Sequence, residues 1–142
     1  MGPIAFTYLV LLTIGVALLA VIGLVIRHRL SLSKQRLLWL VLIAGTFTGY
    51  TLLLGKRSPE ESVHFIQYGV LSVLVYRALT IKRRDISVYF SAAVICGIIG
   101  TVDEFIQWLV PGRHWDLRDI GINLFAAAMV QIAIAKGVQP PY

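Results

Sequence analysis

Little in this sequence points to a domain that lives in water. It holds one cysteine, Cys96, so no disulfide can form within the chain. That thiol lies in an uncharged apolar run and reads as a small buried hydrophobe. Charge is scarce: 14% of the 142 residues are Asp, Glu, Lys or Arg, against 58% hydrophobic. That balance excludes an ordinary soluble domain. Acids are scarcer still, seven against thirteen Lys and Arg, for a formal net charge of +6. The excess does not imply a nucleic-acid partner. The basic residues sit in short clusters between apolar runs, where they meet membrane lipid headgroups and set orientation. There is no P-loop, no Gly-x-Ser-x-Gly elbow, no zinc-finger spacing and no helical His-x-x-x-His. No metal and no cofactor is therefore implied.

What remains is a series of apolar runs long enough to cross a bilayer. Ile4 to Ile26 is uncharged and reaches roughly 35 Å as a helix, against a hydrocarbon core of about 30 Å. No basic residue precedes it and Arg27, His28 and Arg29 follow, which reads as a retained first span rather than a signal peptide. Leu37 to Leu54 is the second span, with Trp39 and Tyr50 as interfacial anchors. Its Gly45 and Gly49 form a small-x-x-x-small pair that would admit a neighbouring helix, or are simply glycines of the kind membrane helices tolerate. Ser58-Pro59-Glu60-Glu61 has the pattern of a capping box and opens a third span to about Ile81. Lys82-Arg83-Arg84-Asp85 is a short loop. Ile86 to Val110 is the fourth span, stopped by Pro111-Gly112. Asp116 reads as the cap of a fifth, whose uncharged part, Ile120 to Ala135, is short and needs both flanks in the interfaces. The expected fold is all-α, one integral membrane bundle of about five transmembrane helices.

The charges orient it. Arg27, Arg29, Lys34, Arg36, Arg77, Lys82, Arg83, Arg84 and Lys136 fall on one side, nine of the thirteen. Lys56, Arg57, Arg113 and Arg118 fall on the other. The richer side is expected in the cytoplasm, with the N-terminus outside and the C-terminus cytoplasmic. Six of the seven acids, all but Asp85, then lie on the outer side.

Three helix ends bring polar groups to that outer rim. The third span offers His64, Gln67 and Tyr68 at i, i+3 and i+4. The fourth offers Asp103, Glu104 and Gln107, beside Gly100 and with Gly97 removing bulk on that face. The fifth offers Asp119 and Asn123, again i, i+4. Arg113 and Arg118 are the counter-charges expected for Asp103 and Glu104. Singly, each has an ordinary reading: Asp116 as a cap, His64 as a structural histidine, Asn123 as a hydrogen bond between helices, Trp108 and Trp115 as headgroup anchors. Gathered at one depth, ionisable groups in a membrane span make a functional site the default hypothesis.

These residues also resemble a known family. Glu61-Ser62-Val63-His64-Phe65-Ile66-Gln67-Tyr68-Gly69 resembles the first signature of the VanZ-like proteins. Asp103-Glu104-Phe105-Ile106-Gln107, then Pro111-Gly112-Arg113, then Asp119 and Asn123, resembles the second. The likeness covers roughly Leu37 to Met129. Phe125 and Ala126 stand where a glycine is common in the family. The resemblance implies a small polytopic protein of the bacterial inner membrane, whose founding member is associated with low-level teicoplanin resistance. It implies one domain over 1–142, with helix 4–26 peripheral to a motif-bearing core over 37–135.

Three functions compete on these residues. In the first, His64, Gln67, Tyr68, Asp103, Glu104, Gln107, Arg113, Asp119 and Asn123 bind an amphipathic envelope molecule, a lipid-linked cell-wall precursor or a glycopeptide. Arg113 would then grip phosphate or carboxylate as a fork. In the second, a hydrolase or transferase, Glu104 is general acid or base on a lipid-linked substrate, with Asp103 or Asp119 as partner and His64 as proton relay. In the third, the cluster only holds together an accessory membrane subunit. A transporter fits less well, because the cluster lies at a rim rather than the midplane.

Overall fold

The computed structural model describes Tyr8 and residues 33–138. The expected first span over Ile4 to Ile26, with Arg27, His28 and Arg29, lies outside the described residues apart from Tyr8. Among the described residues the chain is all helix: α1 (Lys34–Arg57), α2 (Pro59–Thr80), α3 (Ser87–Trp108) and α4 (Leu117–Ala133), the last continued by a π-turn over Ile134–Val138. Each of the four is long and apolar enough to cross a membrane, α4 because its first turn and the π-turn extend the span to Leu117–Val138. Their outward faces carry large apolar side chains, among them Val41, Leu53, Leu74, Phe90 and Ile98, each more than half exposed. So much continuous apolar surface is untenable in water and ordinary in lipid. Length, hydropathy and surface together are those of a multi-pass membrane protein.

Local chemistry sets the helix ends. Ser33 caps α1 by accepting from the Arg36 N–H at 3.3 Å. Lys56 and Arg57 close it, complementing the negative end of its dipole. Ser58 serves two helices at once. Its N–H donates to the Leu54 carbonyl at 2.7 Å, ending α1, and its hydroxyl accepts from the Glu61 N–H at 3.4 Å, starting α2. The capping box expected at Ser58 to Glu61 is thus half formed. The Ser58 N–H is already used, and the Glu61 carboxylate turns instead to Arg118. Asp85 accepts from both the N–H and the hydroxyl of Ser87 at the start of α3. Those hydrogen bonds hold its carboxyl below the ordinary range. Between α3 and α4 the chain turns at Pro111-Gly112, where Gly112 has φ +86°, a conformation that side chains resist. Asp116 caps α4 by accepting from the Arg118 N–H at 2.8 Å.

Helix α4 is the centre of the bundle and the most buried of the four, while α1 is the least buried. It packs on α2 and α3, which also pack on each other, while α1 lies against α2 and the π-turn. The main core joins Leu54, Phe65, Tyr68, Ile122, Ala126 and Met129. Phe65 is its hinge pin, with Phe47 and Tyr50 rings 4.5 and 5.1 Å away and Phe125 at 6.2 Å. Tyr50, read from the sequence as an interfacial anchor, also belongs to this aromatic cluster. Among the described residues nothing comes within 4 Å of a Cβ added at Gly45 or Gly49; the expected first span over Ile4 to Ile26, which could meet this face, lies outside them apart from Tyr8. Two glycines admit α1: Gly69 on α2, where an added Cβ would sit 2.9 Å from the Phe47 ring, and Gly137 in the π-turn, where it would overlap the Leu40 side chain.

Polar ties run through this apolar interior. The Ser62 hydroxyl donates to the Thr51 carbonyl at 3.0 Å, joining α2 to α1. Deeper, Ser72 and Gln131 join α2 to α4. The Ser72 hydroxyl donates to the Ala127 carbonyl at 3.0 Å, and Gln131 Nε2 donates to Ser72 Oγ and Ser72 O at 2.7 and 2.9 Å. Cys96 is fully buried in α3.

Candidate functional site

Three helix ends meet where the α1–α2 and α3–α4 connections lie. The start of α2, the end of α3 and the start of α4 share one rim, and Asp103 is its hub. Its Oδ2 accepts from Gln107 Nε2 at 3.1 Å and from the Tyr68 hydroxyl at 3.4 Å. His64 Nδ1 lies 3.8 Å from the same oxygen, too far for a hydrogen bond and an ion pair only when the imidazole is protonated. The side chains of His64 and Asp103 are 28% and 39% exposed, so the hub opens to the rim. Helical spacing explains the grouping: His64 and Tyr68 are i, i+4 on α2, and Asp103 and Gln107 are i, i+4 on α3.

Beneath the hub the site becomes closed. Glu104 is only 3% exposed. Its carboxyl interacts electrostatically with Asp119 on α4, His64 on α2 and its chain neighbour Asp103, and hydrogen-bonds with the Asp116 backbone. One turn deeper on α4 than Asp119, Asn123 is fully buried, and neither its Nδ2 nor its Oδ1 has a protein partner. Gly100 makes this floor. A methyl group there would sit 3.3 Å from both the Asn123 Cβ and the Tyr68 ring. Gly97, one turn earlier, faces Leu124 rather than the site. The arrangement offers carboxylate acceptors at three heights, an imidazole between them and an amide with both donor and acceptor unclaimed.

The structure thus brings together eight of the nine residues expected at this rim, and Arg113 among them only at the edge. Gln67 is exposed and turned away, because i+3 from His64 falls just past the buried stripe that His64 and Tyr68 share. The arginines are paired differently from expectation. Arg118 reaches Glu61 at 3.0 Å and Arg113 reaches Glu60 at 3.5 Å. They therefore compensate the acids that open α2, not Asp103 and Glu104. Arg113 and Glu60 are 50% and 76% exposed, a loose pair that leaves the guanidinium at the site's edge. Among the described residues no three His, Cys, Asp or Glu side chains group as a metal site. Trp115 and Trp108 flank Phe105 on the outer face of α3, with ring centroids 6.5 and 5.8 Å from it.

Sequence reasoning missed the Ser72–Gln131 tie and the role of Gly69. A signal for the first was present: Gln131 is an uncharged amide stranded near the middle of an apolar run, where it must find a partner. No family model matches the chain, and the comparisons with curated proteins and with solved structures also return no match.

Proposed function

We propose that this chain is a VanZ-like protein of the bacterial inner membrane that binds an amphipathic cell-envelope molecule at the Asp103 rim. In this reading five spans place the rim outside and the C-terminus in the cytoplasm. The ligand is a lipid-linked cell-wall precursor or a lipoglycopeptide. Its polar head enters between α2, α3 and α4, and its apolar part lies along Phe105, Trp108 and Trp115. The observation that carries the proposal is Asn123. A fully buried amide with both polar atoms unclaimed costs about 1–3 kcal/mol per atom when dry, and it sits directly under an open, hydrogen-bonding hub. A guest bearing both a donor and an acceptor, such as an amide or a hydroxyl, relieves that cost. Asp103 and His64 then meet further hydroxyl or amine groups, and Arg113 exchanges its loose contact with Glu60 for a phosphate or carboxylate.

The test is a titration of the purified full chain with a fluorescent undecaprenyl-linked muropeptide and, separately, with labelled teicoplanin. Asn123→Leu and Asp103→Asn are expected to weaken binding of one of these probes at least tenfold, equivalent to about 1.4 kcal/mol. Saturable binding that both variants leave unchanged sinks the proposal, as does no binding of either probe.

The 3.8 Å approach of His64 to Asp103 above a buried Glu104 favours a second reading, an intramembrane hydrolase or transferase. Glu104 would move the proton at the scissile bond, and Asp103 would orient His64 as relay. Turnover of the same muropeptide that Glu104→Gln abolishes while probe affinity is kept would select this reading over simple binding.

A further inference from the structure

At the opposite end of the bundle, about 20 Å of helix rise along α3 from Asp103, a groove of about 480 Å³ opens between α2 and α3. Ala78 on α2 and Phe90, Ser91, Val94 and Ile95 on α3 line it, and Lys82 and Arg83 stand at its mouth. Two of its lining residues, Ala78 and Ser91, are small. Its walls are otherwise apolar, and Phe90 is 75% exposed.

The mouth is strongly cationic. Lys82, Arg83 and Arg84 follow one another, and among the described residues none takes part in an ion pair. The one acid nearby, Asp85, is engaged by Ser87 and lies close enough to Arg83 to offset part of its charge. Three cations against one acid leave this end of the groove with a net positive charge. An apolar trough running from a cationic mouth into the bilayer has the polarity pattern of a single phospholipid.

We infer that this groove holds one anionic phospholipid of the leaflet at the Lys82–Arg84 end. Its phosphate lies between Lys82 and Arg83, an ester carbonyl accepts from the Ser91 hydroxyl, and one acyl chain follows Phe90, Val94 and Ile95. Charge complementarity selects an anionic head, since each Lys or Arg near a membrane surface favours anionic lipid by about fivefold. The groove, rather than the charge alone, makes the lipid resident and not merely enriched around the protein. This inference stands apart from the rim cluster and does not depend on what binds there.

The experiment is native mass spectrometry of the full chain in mild detergent with equimolar phosphatidylglycerol and phosphatidylcholine. The unmodified chain is expected to retain one phosphatidylglycerol preferentially. Lys82→Gln with Arg83→Gln should cut that preference by about 25-fold. Ala78→Phe, which fills the trough and keeps every charge, should also abolish retention. Equal retention of the two lipids, or selectivity that survives Ala78→Phe, overturns the inference. A photoactivatable phosphatidylglycerol on the unmodified chain gives a readout free of folding effects. It should label α3 between Phe90 and Ile95, and even labelling of all four helices, or occupation of the groove by a second copy of the chain, overturns the inference as well.

Discussion

The Ser72–Gln131 tie allows a prediction that runs against the habit of treating every buried hydrogen bond as an asset. Gln131 is 4% exposed and Ser72 fully buried. The hydroxyl of Ser72 donates to the Ala127 carbonyl and accepts from Gln131 Nε2, while Gln131 Oε1 has no partner. Hydrogen bonds inside membrane proteins are worth about 0.6 kcal/mol on average and about 1.7 at most. Ser72→Ala removes two of them and leaves Gln131 Nε2 with only a carbonyl that α2 already uses, so it should cost about 1–2 kcal/mol. Gln131→Leu also removes two. It also removes the orphaned Oε1, whose burial costs about 1–3 kcal/mol, while Ser72 keeps a partner for its proton. The two effects offset, and Gln131→Leu should fall within about 0.5 kcal/mol of neutral. The double variant should cost at least about 0.6 kcal/mol less than the sum of the singles, because the shared bond is counted twice. Reversible unfolding in mixed micelles with a titrated denaturing detergent measures all three. If Gln131→Leu proves as costly as Ser72→Ala, or the two effects simply add, the accounting of these bonds is wrong.

Three further outcomes follow from the same geometry. Arg118→Ala should destabilise by about 1 kcal/mol, because Glu61 is only 15% exposed and its pair is short, while Arg113→Ala, in a pair exposed on both sides, should cost less than about 0.5 kcal/mol in the same unfolding assay. Gly100→Val forces a branched side chain against Asn123 and Tyr68. It should cost about 1–3 kcal/mol by overpacking and weaken probe binding at the rim, so full affinity in that variant would place the ligand elsewhere. The carboxyl of Asp85 is held below its ordinary value by Ser87; the stability this lends is present at neutral pH and fades as pH falls through the lowered value. Ser87→Ala should move the Asp85 titration upward by NMR, and an unmoved titration would assign the shift to Arg83.

Most of the helical frame was legible because each break in it carries its own chemistry. Ser58-Pro59, Pro111-Gly112 and Asp116 announce helix ends through backbone geometry and capping, which are local matters. Helix lengths were less legible. The runs of apolar residues mark Leu37 to Leu54, but the backbone stays helical through Lys34 and Arg57 because charged side chains end hydrophobicity, not hydrogen bonding. At the rim, i, i+4 spacing found His64 with Tyr68 and Asp103 with Gln107. The companion i, i+3 spacing admitted Gln67, since helical periodicity says which residues are neighbours on a helix and not which stripe meets the next helix. Arg113 and Arg118 were assigned to the wrong acids for a related reason. Six acids crowd this rim, Asp119 close enough for both arginines to act on its charge, and the choice is made by how α2 sits beside the turn at Gly112. Gly69 and Gly137, which belong to no such spaced pair as Gly45 and Gly49, are the glycines that α1 packs against among the described residues.

The central position of α4 has a consequence for biosynthesis. The helix against which α2 and α3 pack is translated after both of them. While Leu117–Val138 is still in the ribosome, Ser72 must find another acceptor for its proton, Glu104 must wait at the membrane surface, and the Phe65 cluster lacks Phe125. Every molecule therefore passes through an interval in which the three described helices that precede α4, namely α1, α2 and α3, stand around a missing centre.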